Sequence, residues 1–273
     1  MTQIDAIKPI RTLVRPKALA IACVAVLVMA GWIYLALALT GMSGATTFEL
    51  LCLPMFGTSD TTAAQAMLLF AMWSAMALAM MLPTAAPMIL TYTDIAETAA
   101  AKGEPAASPL ILTAGYIIVW LAGAVMLAGL QLVLARLSLL DPAMRSASPL
   151  FSGAVFVAAG AYQFSALKRA CVTQCQHPFP FFFANWTAEP GGVFRLGLRQ
   201  GCYCLGCCWA VMLLMFAVGV MNVVWMAALG AIMTIEKVNT TTRFSRVFGV
   251  LFIVVGAVFI AGSIIAHWPA RAG

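Results

Sequence analysis

The chain has 273 residues, of which 63% are hydrophobic and only 9% are charged, and its mean hydropathy is +1.00. A soluble globular domain has about 25% charged residues, so this composition excludes an ordinary soluble protein and predicts an integral membrane protein. The net charge of +6 does not indicate a nucleic-acid partner, because the basic residues stand at the ends of apolar segments, where they set membrane orientation. The loops between these segments are short, and we therefore predict one integral membrane domain over residues 1–273 with the lipid bilayer as its surroundings.

The apolar segments predict an all-α, polytopic membrane helix bundle of about seven transmembrane helices. Each segment is as long as the about 20 residues that cross a bilayer as a helix. Helices are expected because backbone amides in lipid must be satisfied within the segment. The predicted spans are 18–40, 63–92, 109–135, 149–167, 200–219, 221–237 and 247–267.

The first span, 18–40, is predicted to remain as an uncleaved anchor. Its apolar run is longer than the about 7–15 residues of a secretory signal. A cleaved signal peptide is the alternative, with Ala36-Leu37-Ala38 as the cleavage site. Cleavage would leave the topology of the remaining spans unchanged.

The second span, 63–92, contains two prolines and a stripe of methionines. Pro83 and Pro87 each remove a helix hydrogen bond, so we expect this helix to kink or break. Met72, Met76 and Met80 repeat every four residues and share one face. A thioether is a soft ligand for Cu(I), but methionine also fills helix interfaces, and both interpretations of this stripe stay open.

The division between the fifth and sixth spans rests on length. From Tyr203 to Glu236 the chain is almost continuously apolar, and one straight helix over these residues would rise about 51 Å, against a hydrocarbon core of about 30 Å. Gly219-Val220-Met221-Asn222 offers turn residues, and we predict a tight hairpin there. A bundle of six spans without this hairpin is the alternative.

The basic residues predict the orientation of the chain. With the N-terminus in the cytoplasm of a bacterium, all but three of the 15 lysines and arginines lie on the cytoplasmic side of the inner membrane, as the positive-inside rule requires. This topology places the main cysteine groups at the cytoplasmic face, where thiols stay reduced, and leaves Cys52 in an external loop. The three basic residues outside are Arg136, Arg145 and Arg271.

Six of the eight cysteines lie between positions 171 and 208, in two groups. Cys171 and Cys175 are four residues apart and share a helix face, as Cys204 does with Cys207 and Cys208. Two pairs of thiols from two helix ends could close a four-thiolate site for Zn(II) or Cu(I). Each single cysteine in an apolar helix is more often a packing residue, and only the clustering favours a metal site or a redox site.

Other residues near the two cysteine groups receive weaker predictions. His177 could replace one sulfur ligand, whereas Cys202 is displaced by about 200° from Cys204 on a helix and is the weakest candidate. Glu236 either completes a metal shell or pairs with its neighbour Lys237. Nearby cations favour the thiolate form, and four flank the cysteines in sequence: Lys168, Arg169, Arg195 and Arg199.

Residues 176–195 form the one unusual connection of the predicted bundle. Their aromatic side chains alternate with Pro178, Pro180 and Pro190, and basic residues bracket the segment. Aromatic residues at this density suit the headgroup layer of a bilayer. We expect a loop that lies on the membrane surface.

Several motifs of the chain resemble a bacterial family of predicted metal-binding integral membrane proteins, a domain family of unknown function. The resemblance implies a metal site formed by Cys171, Cys175, Cys204, Cys207 and Cys208, and it identifies no activity. The matching motifs are Met80-Met81-Leu82-Pro83-Thr84-Ala85-Ala86-Pro87-Met88, Lys168 with Cys171 and Cys175 ahead of Pro178, Tyr203-Cys204-Leu205-Gly206-Cys207-Cys208-Trp209, Gly219-Val220-Met221-Asn222, Trp225-Met226 and Glu236-Lys237.

These observations favour a membrane-embedded protein that handles Cu(I) or Zn(II) for a metalloenzyme or together with a metallochaperone. A membrane thiol oxidoreductase or metal-dependent oxidase is the first alternative, and a metal permease is the second. With only two histidines, the chain cannot form a haem site with paired histidines or a copper centre with several histidines. The sequence also contains no phosphate-binding or dinucleotide-binding glycine motif.

Overall fold

A computed structural model describes residues 16–40, 62–141, 146–220, 222–241 and 243–267. Within these ranges the regular structure is helical, apart from one isolated bridge between Leu140 and Ser146, which confirms the predicted all-α class. Three residues that the sequence places on the external side of the membrane, Cys52, Arg145 and Arg271, lie outside the described residues. The helices are α1 (Pro16–Thr40), α2 (Thr62–Ala101), α3 (Pro109–Arg136), α4 (Pro149–Tyr162), α5 (Ala166–Gln176), α6 (Pro178–Ala184), α7 (Pro190–Val218), α8 (Val223–Val238) and α9 (Arg243–His267).

Four of the described helices are long and apolar enough to cross a membrane: α2, α3, α7 and α9. A fifth crossing is possible if α4 and α5, which meet at an angle of 64°, form one bent span. Helix α8 has 16 residues, fewer than the about 20 that a straight crossing needs. The helical bundle is therefore as predicted, whereas the count of seven crossings stays a prediction.

Helix α2 passes through both of its prolines, so the predicted break in this span does not occur. Pro83 and Pro87 lie inside one uninterrupted helix that continues to Ala101, beyond the predicted end at 92. Threonine hydroxyls supply local hydrogen bonds at this point, because Thr84 donates to the carbonyl oxygen of Met81 at 2.8 Å and Thr91 donates to that of Pro87 at 2.7 Å. Such side-chain bonds are a usual accompaniment of proline within membrane helices.

The composition of residues 176–195 predicts a loop on the membrane surface, but the segment contains the helix α6 and the first residues of α7. Its position at the membrane surface stays a prediction. Helix α7 begins at Pro190 rather than at 200, with proline in the first turn, where its missing N–H has no cost. Phe182 is fully buried, and its ring lies 5.4 Å from that of Tyr92 on α2. Phe179 and Phe183, on the other face of α6, are exposed. The aromatic residues of this segment are therefore divided between the core and the exposed face of α6.

The chain breaks between α7 and α8 at the place that the sequence predicts. Gly219 ends α7 with a φ of 104°, a conformation that side chains with a Cβ rarely adopt. Asn222 then caps α8, because its Oδ1 accepts hydrogen bonds from the backbone N–H groups of Val224 and Trp225 at 3.1 and 3.2 Å.

Two pairs of helices pack at backbone distance through glycines. Between α3 and α7, a Cβ added to Gly115 would lie 2.5 Å from the carbonyl oxygen of Phe194. Between α4 and α9, a Cβ on Gly153 would lie 2.8 Å from the carbonyl oxygen of Gly256. Small residues allow this close approach of membrane helices. This close approach fixes α7, which contains four of the six clustered cysteines, against α3.

Candidate metal centre

Three cysteines on one face of α7 form a buried group of thiols. Residues three and four apart are neighbours on a helix surface, so Cys204, Cys207 and Cys208 share one face of α7. That face is turned into the bundle, and each of the three is at most 2% exposed. The sulfur atoms of Cys207 and Cys208 are 3.3 Å apart, and the Cys207 thiol donates to the carbonyl oxygen of Cys204 at 3.1 Å. Cys202, the weakest candidate in the sequence, is exposed on a different side of α7.

Helix α5 packs beside this face and brings the second group of cysteines against the first. Cys171 is buried, and its Sγ lies over Gly206, only 2.7 Å from the point where a Cβ on that glycine would stand. Cys175 follows one helical turn further along the same face of α5 and is partly buried against the core. The cysteine-bearing part of α5 thus packs against the cysteine segment of α7.

Lys237 of α8 reaches into the thiol group and is a contact that the sequence reasoning missed. Its ammonium donates to the Sγ of Cys204 at 2.9 Å and to the hydroxyl oxygen of Thr84 at 2.6 Å, and the residue is buried. The Tyr116 hydroxyl lies 2.9 Å from the same sulfur and 3.1 Å from the carbonyl oxygen of Met81, to which it donates. One thiol is therefore the meeting point of α2, α3, α7 and α8.

Glu236 forms an ion pair with Lys168 of α5. The pairing with its neighbour Lys237, one of the two roles predicted from the sequence, does not occur. The Oε2 of Glu236 accepts from the Lys168 ammonium at 2.7 Å, and the two side chains are 2% and 1% exposed. Glu236 and Lys237 are consecutive and so point to different sides of α8. The Gln176 amide adds hydrogen bonds of 2.7 Å to the carbonyl oxygens of Glu236 and Asn239. These contacts hold α5 against the end of α8.

The remaining predicted ligands occupy different surroundings. His177 lies at the exposed C-terminal end of α5, two residues beyond Cys175. Met76 and Met80 are buried in α2, and the Met80 methyl group packs against α8, 3.6 Å from the position of a Cβ on Gly230. The methionine stripe is therefore part of the helix interface in this conformation.

The thiols are close together but are not arranged as a finished metal site. Within the described ranges, no group of three or more histidine, cysteine, aspartate or glutamate residues has an arrangement that could hold a metal ion. The sulfur atoms are instead hydrogen-bonded to one another, to Lys237 and to Tyr116. Soft sulfur ligands next to a buried cation nevertheless form the chemically distinctive part of the bundle.

The fold and this cluster define a helical protein of membrane type with buried thiols from two helices and a lysine ammonium beside one of them. The chain belongs to the PpoB2 family, described as a copper chaperone, which matches residues 70–259, more than half of the chain. The matched range includes both cysteine groups and Lys237. No curated protein and no solved structure matches the chain.

Proposed function

We propose that this protein is a membrane-embedded copper chaperone that holds Cu(I) between α5 and α7 and passes it to a metalloenzyme. Membership of a copper chaperone family supports copper as the cargo and gives no support to zinc. The observation that favours this site over any other is the packing of the buried Cys171 of α5 over Gly206, inside the segment of α7 that contains the buried thiols of Cys204, Cys207 and Cys208. Thiolates are the soft ligands that Cu(I) prefers.

The position of Lys237 supports Cys204 as a ligand. Its ammonium lies 2.9 Å from this sulfur. A nearby cation favours the thiolate, which is the form of cysteine that binds a metal. Binding requires the thiols to lose their protons and to turn from their present hydrogen bonds towards the metal, because only the deprotonated sulfur is a ligand. The proposal therefore includes a local rearrangement of side chains and leaves the helices in place.

A membrane thiol oxidoreductase is the second candidate, and the packing of the cysteine-bearing helix α5 against the cysteine segment of α7 is the observation that favours it. Cysteines of different helices, such as Cys175 and Cys207, are free of the strain that adjacent cysteines meet when they form a disulfide. Thiol trapping under oxidising and reducing conditions separates the two functions. A Cys175–Cys207 disulfide that forms and is reduced in step with substrate turnover would favour the enzyme.

We also propose that the site lies at the cytoplasmic face of a bacterial inner membrane, with the N-terminus in the cytoplasm. The basic residues flanking α5 and α7 support this orientation. Cys202 is the natural reporter, since it is exposed on α7. A membrane-impermeant maleimide is expected to label Cys202 in inside-out vesicles and not in intact cells. Labelling in intact cells contradicts the orientation.

Copper content of the purified protein tests the proposed function. We expect protein isolated without added metal, under reducing conditions, to contain stoichiometric copper, and a Cys204→Ser/Cys208→Ser variant to have lost most of it. Cys202→Ser is the matched control, because it removes an exposed thiol two residues from Cys204 and should leave the copper content unchanged. Copper that is unaffected by the double substitution rules out this site.

A further inference from the structure

We propose that Lys237 determines the metal specificity of the copper site by making it unfavourable for divalent cations. This role rests on the proposed function and names the residue that separates Cu(I) from Zn(II) at the thiols. Lys237 reaches from α8 to α7, with its ammonium 2.9 Å from the Sγ of Cys204. The residue is only 7% exposed, so water and salt screen its charge much less than that of a surface lysine.

The two lysines that are buried in the described part of the chain differ in how their charge is balanced. Lys168 forms an ion pair with the carboxylate of Glu236 at 2.7 Å. Within the described ranges, the Lys237 ammonium bonds to the hydroxyl of Thr84 at 2.6 Å and to the sulfur of Cys204, and to no carboxylate. The charge of Lys168 is therefore cancelled at close range, whereas that of Lys237 acts on the thiol group.

Thr84 of α2 keeps the ammonium next to the thiol. The Thr84 hydroxyl donates its own hydrogen to the carbonyl oxygen of Met81 at 2.8 Å, so its oxygen is left to accept from Lys237. This bond does not involve the sulfur and remains when a metal ion binds at Cys204. A metal ligand is commonly hydrogen-bonded to an outer-shell partner that tunes the metal, and Lys237 has the position of such a partner.

Bond lengths limit the distance between the ammonium and a metal ion on Cys204. A metal–thiolate bond is about 2.3 Å long, and the ammonium stands 2.9 Å from the same sulfur. While both contacts are made, the two cations are at most about 5 Å apart. In a buried, low-dielectric environment, charges this close interact strongly.

This repulsion distinguishes the two metals by their charge. Thiolates bind both Zn(II) and Cu(I), so the ligands alone do not exclude zinc. The ammonium repels a divalent ion twice as strongly as a monovalent ion at the same place, because the Coulomb energy is proportional to the charge. Lys237 also favours the thiolate form of Cys204, but that effect assists either metal. The net result is a preference for Cu(I).

The test compares the affinities of the full-length protein for Cu(I) and for Zn(II), each measured by competition with a chromogenic chelator under reducing, oxygen-free conditions. We expect Lys237→Met to lower the ratio of Cu(I) affinity to Zn(II) affinity about a hundredfold, because the repulsion of one unit charge across about 5 Å is removed. Lys237→Gln keeps an N–H donor but not the charge, and it should lower the ratio to the same extent.

Lys102→Met is the matched control, because it removes the same charge from an exposed position, where water and salt screen it. Its ratio should equal that of the wild type. A purely structural role of Lys237 would lower both affinities together and leave the ratio unchanged, so partial unfolding does not imitate the expected result. A ratio that falls by less than about tenfold, or about 1.4 kcal/mol, in either Lys237 variant overturns the proposal.

The wild-type protein keeps this proposal separate from the proposed function. A wild type that binds no Cu(I) contradicts the proposed function, whatever its affinity for zinc. A wild type that binds Cu(I) through its cysteines, with a metal preference that Lys237→Met does not change, contradicts the role of Lys237 alone.

Discussion

The pair formed by α4 and α9 differs in kind from the group of helices around Lys237. Helices α4 and α9 meet through Gly153, Gly160 and Gly256 at backbone distance, and Phe156 stacks on Phe259 with ring centroids 5.9 Å apart. Around Lys237, the helices instead surround buried ammonium and carboxylate groups. Close packing alone suffices to join membrane helices, so the buried charges are not needed for that purpose. Ionisable residues inside a membrane protein point to function.

The largest expected effect comes from breaking the ion pair between Lys168 and Glu236. Lys168→Met leaves a buried carboxylate without its partner, and we expect the free energy of unfolding to fall by about 3–5 kcal/mol. Thermal unfolding of the detergent-solubilised protein measures this change. In the Lys168→Met/Glu236→Met variant most of the loss should be regained, since an apolar pair often substitutes for a buried ion pair without cost. Equal stability of the wild type and the single variant contradicts the account.

The glycine contact between α4 and α9 gives the next largest effect and the sharpest contrast. Gly256→Leu inserts a side chain where a Cβ would already lie 2.7 Å from the carbonyl oxygen of Gly153, and it should destabilise the fold by about 1–3 kcal/mol. The copper content per folded molecule should stay that of the wild type. Gly262→Leu on the same helix is the control, because its Cβ meets nothing within 4 Å. A loss of copper with retained stability would show that this pair belongs to the site.

Features that depend on neighbouring residues could be predicted from the sequence, whereas contacts between distant residues could not. The long apolar segments correctly predict the helical bundle, and the turn residues at Gly219–Asn222 predict the break there. The spacing of Cys204, Cys207 and Cys208 predicts that they share a helix face. All three depend on local geometry. The contact between Lys237 and Cys204 joins residues 33 positions apart and depends on how α7 and α8 pack, which no local pattern specifies. The composition of the segment places Pro190 in a loop, although proline is also typical of a first helical turn, which is where it lies.

The prolines of α2 show the limit of a local rule. Each removes one hydrogen bond, which predicts a kink or a break at Pro83 or Pro87, and the break does not occur. Neighbouring helices and the hydroxyl of Thr84 supply contacts that the rule does not include, and the helix continues. The pairing of Glu236 with Lys168 was missed for the same reason, since 68 residues separate the two partners.

The smallest effect concerns the hydroxyl of Thr84, which accepts the second hydrogen bond from Lys237 at 2.6 Å. Thr84→Val preserves the shape of the side chain and removes this acceptor, so the free energy of unfolding should fall by about 1–2 kcal/mol. Thr91→Val on the same helix removes a hydroxyl that bonds to a backbone carbonyl on a part-exposed face, and it should change the stability by less than about 0.5 kcal/mol. Equal effects of the two substitutions would show that Lys237 does not depend on Thr84.

A comparison of copper retention between two variants tests the central claim most directly. One variant replaces Cys175, Cys204, Cys207 and Cys208 with serine, and the other replaces Met76 and Met80 with leucine, both in the full-length chain purified under reducing conditions. Copper bound between α5 and α7 predicts a protein without copper in the first case and with the wild-type content in the second. Copper that survives the loss of the four thiols, or that disappears with the two methionines, would place the cargo elsewhere in the bundle.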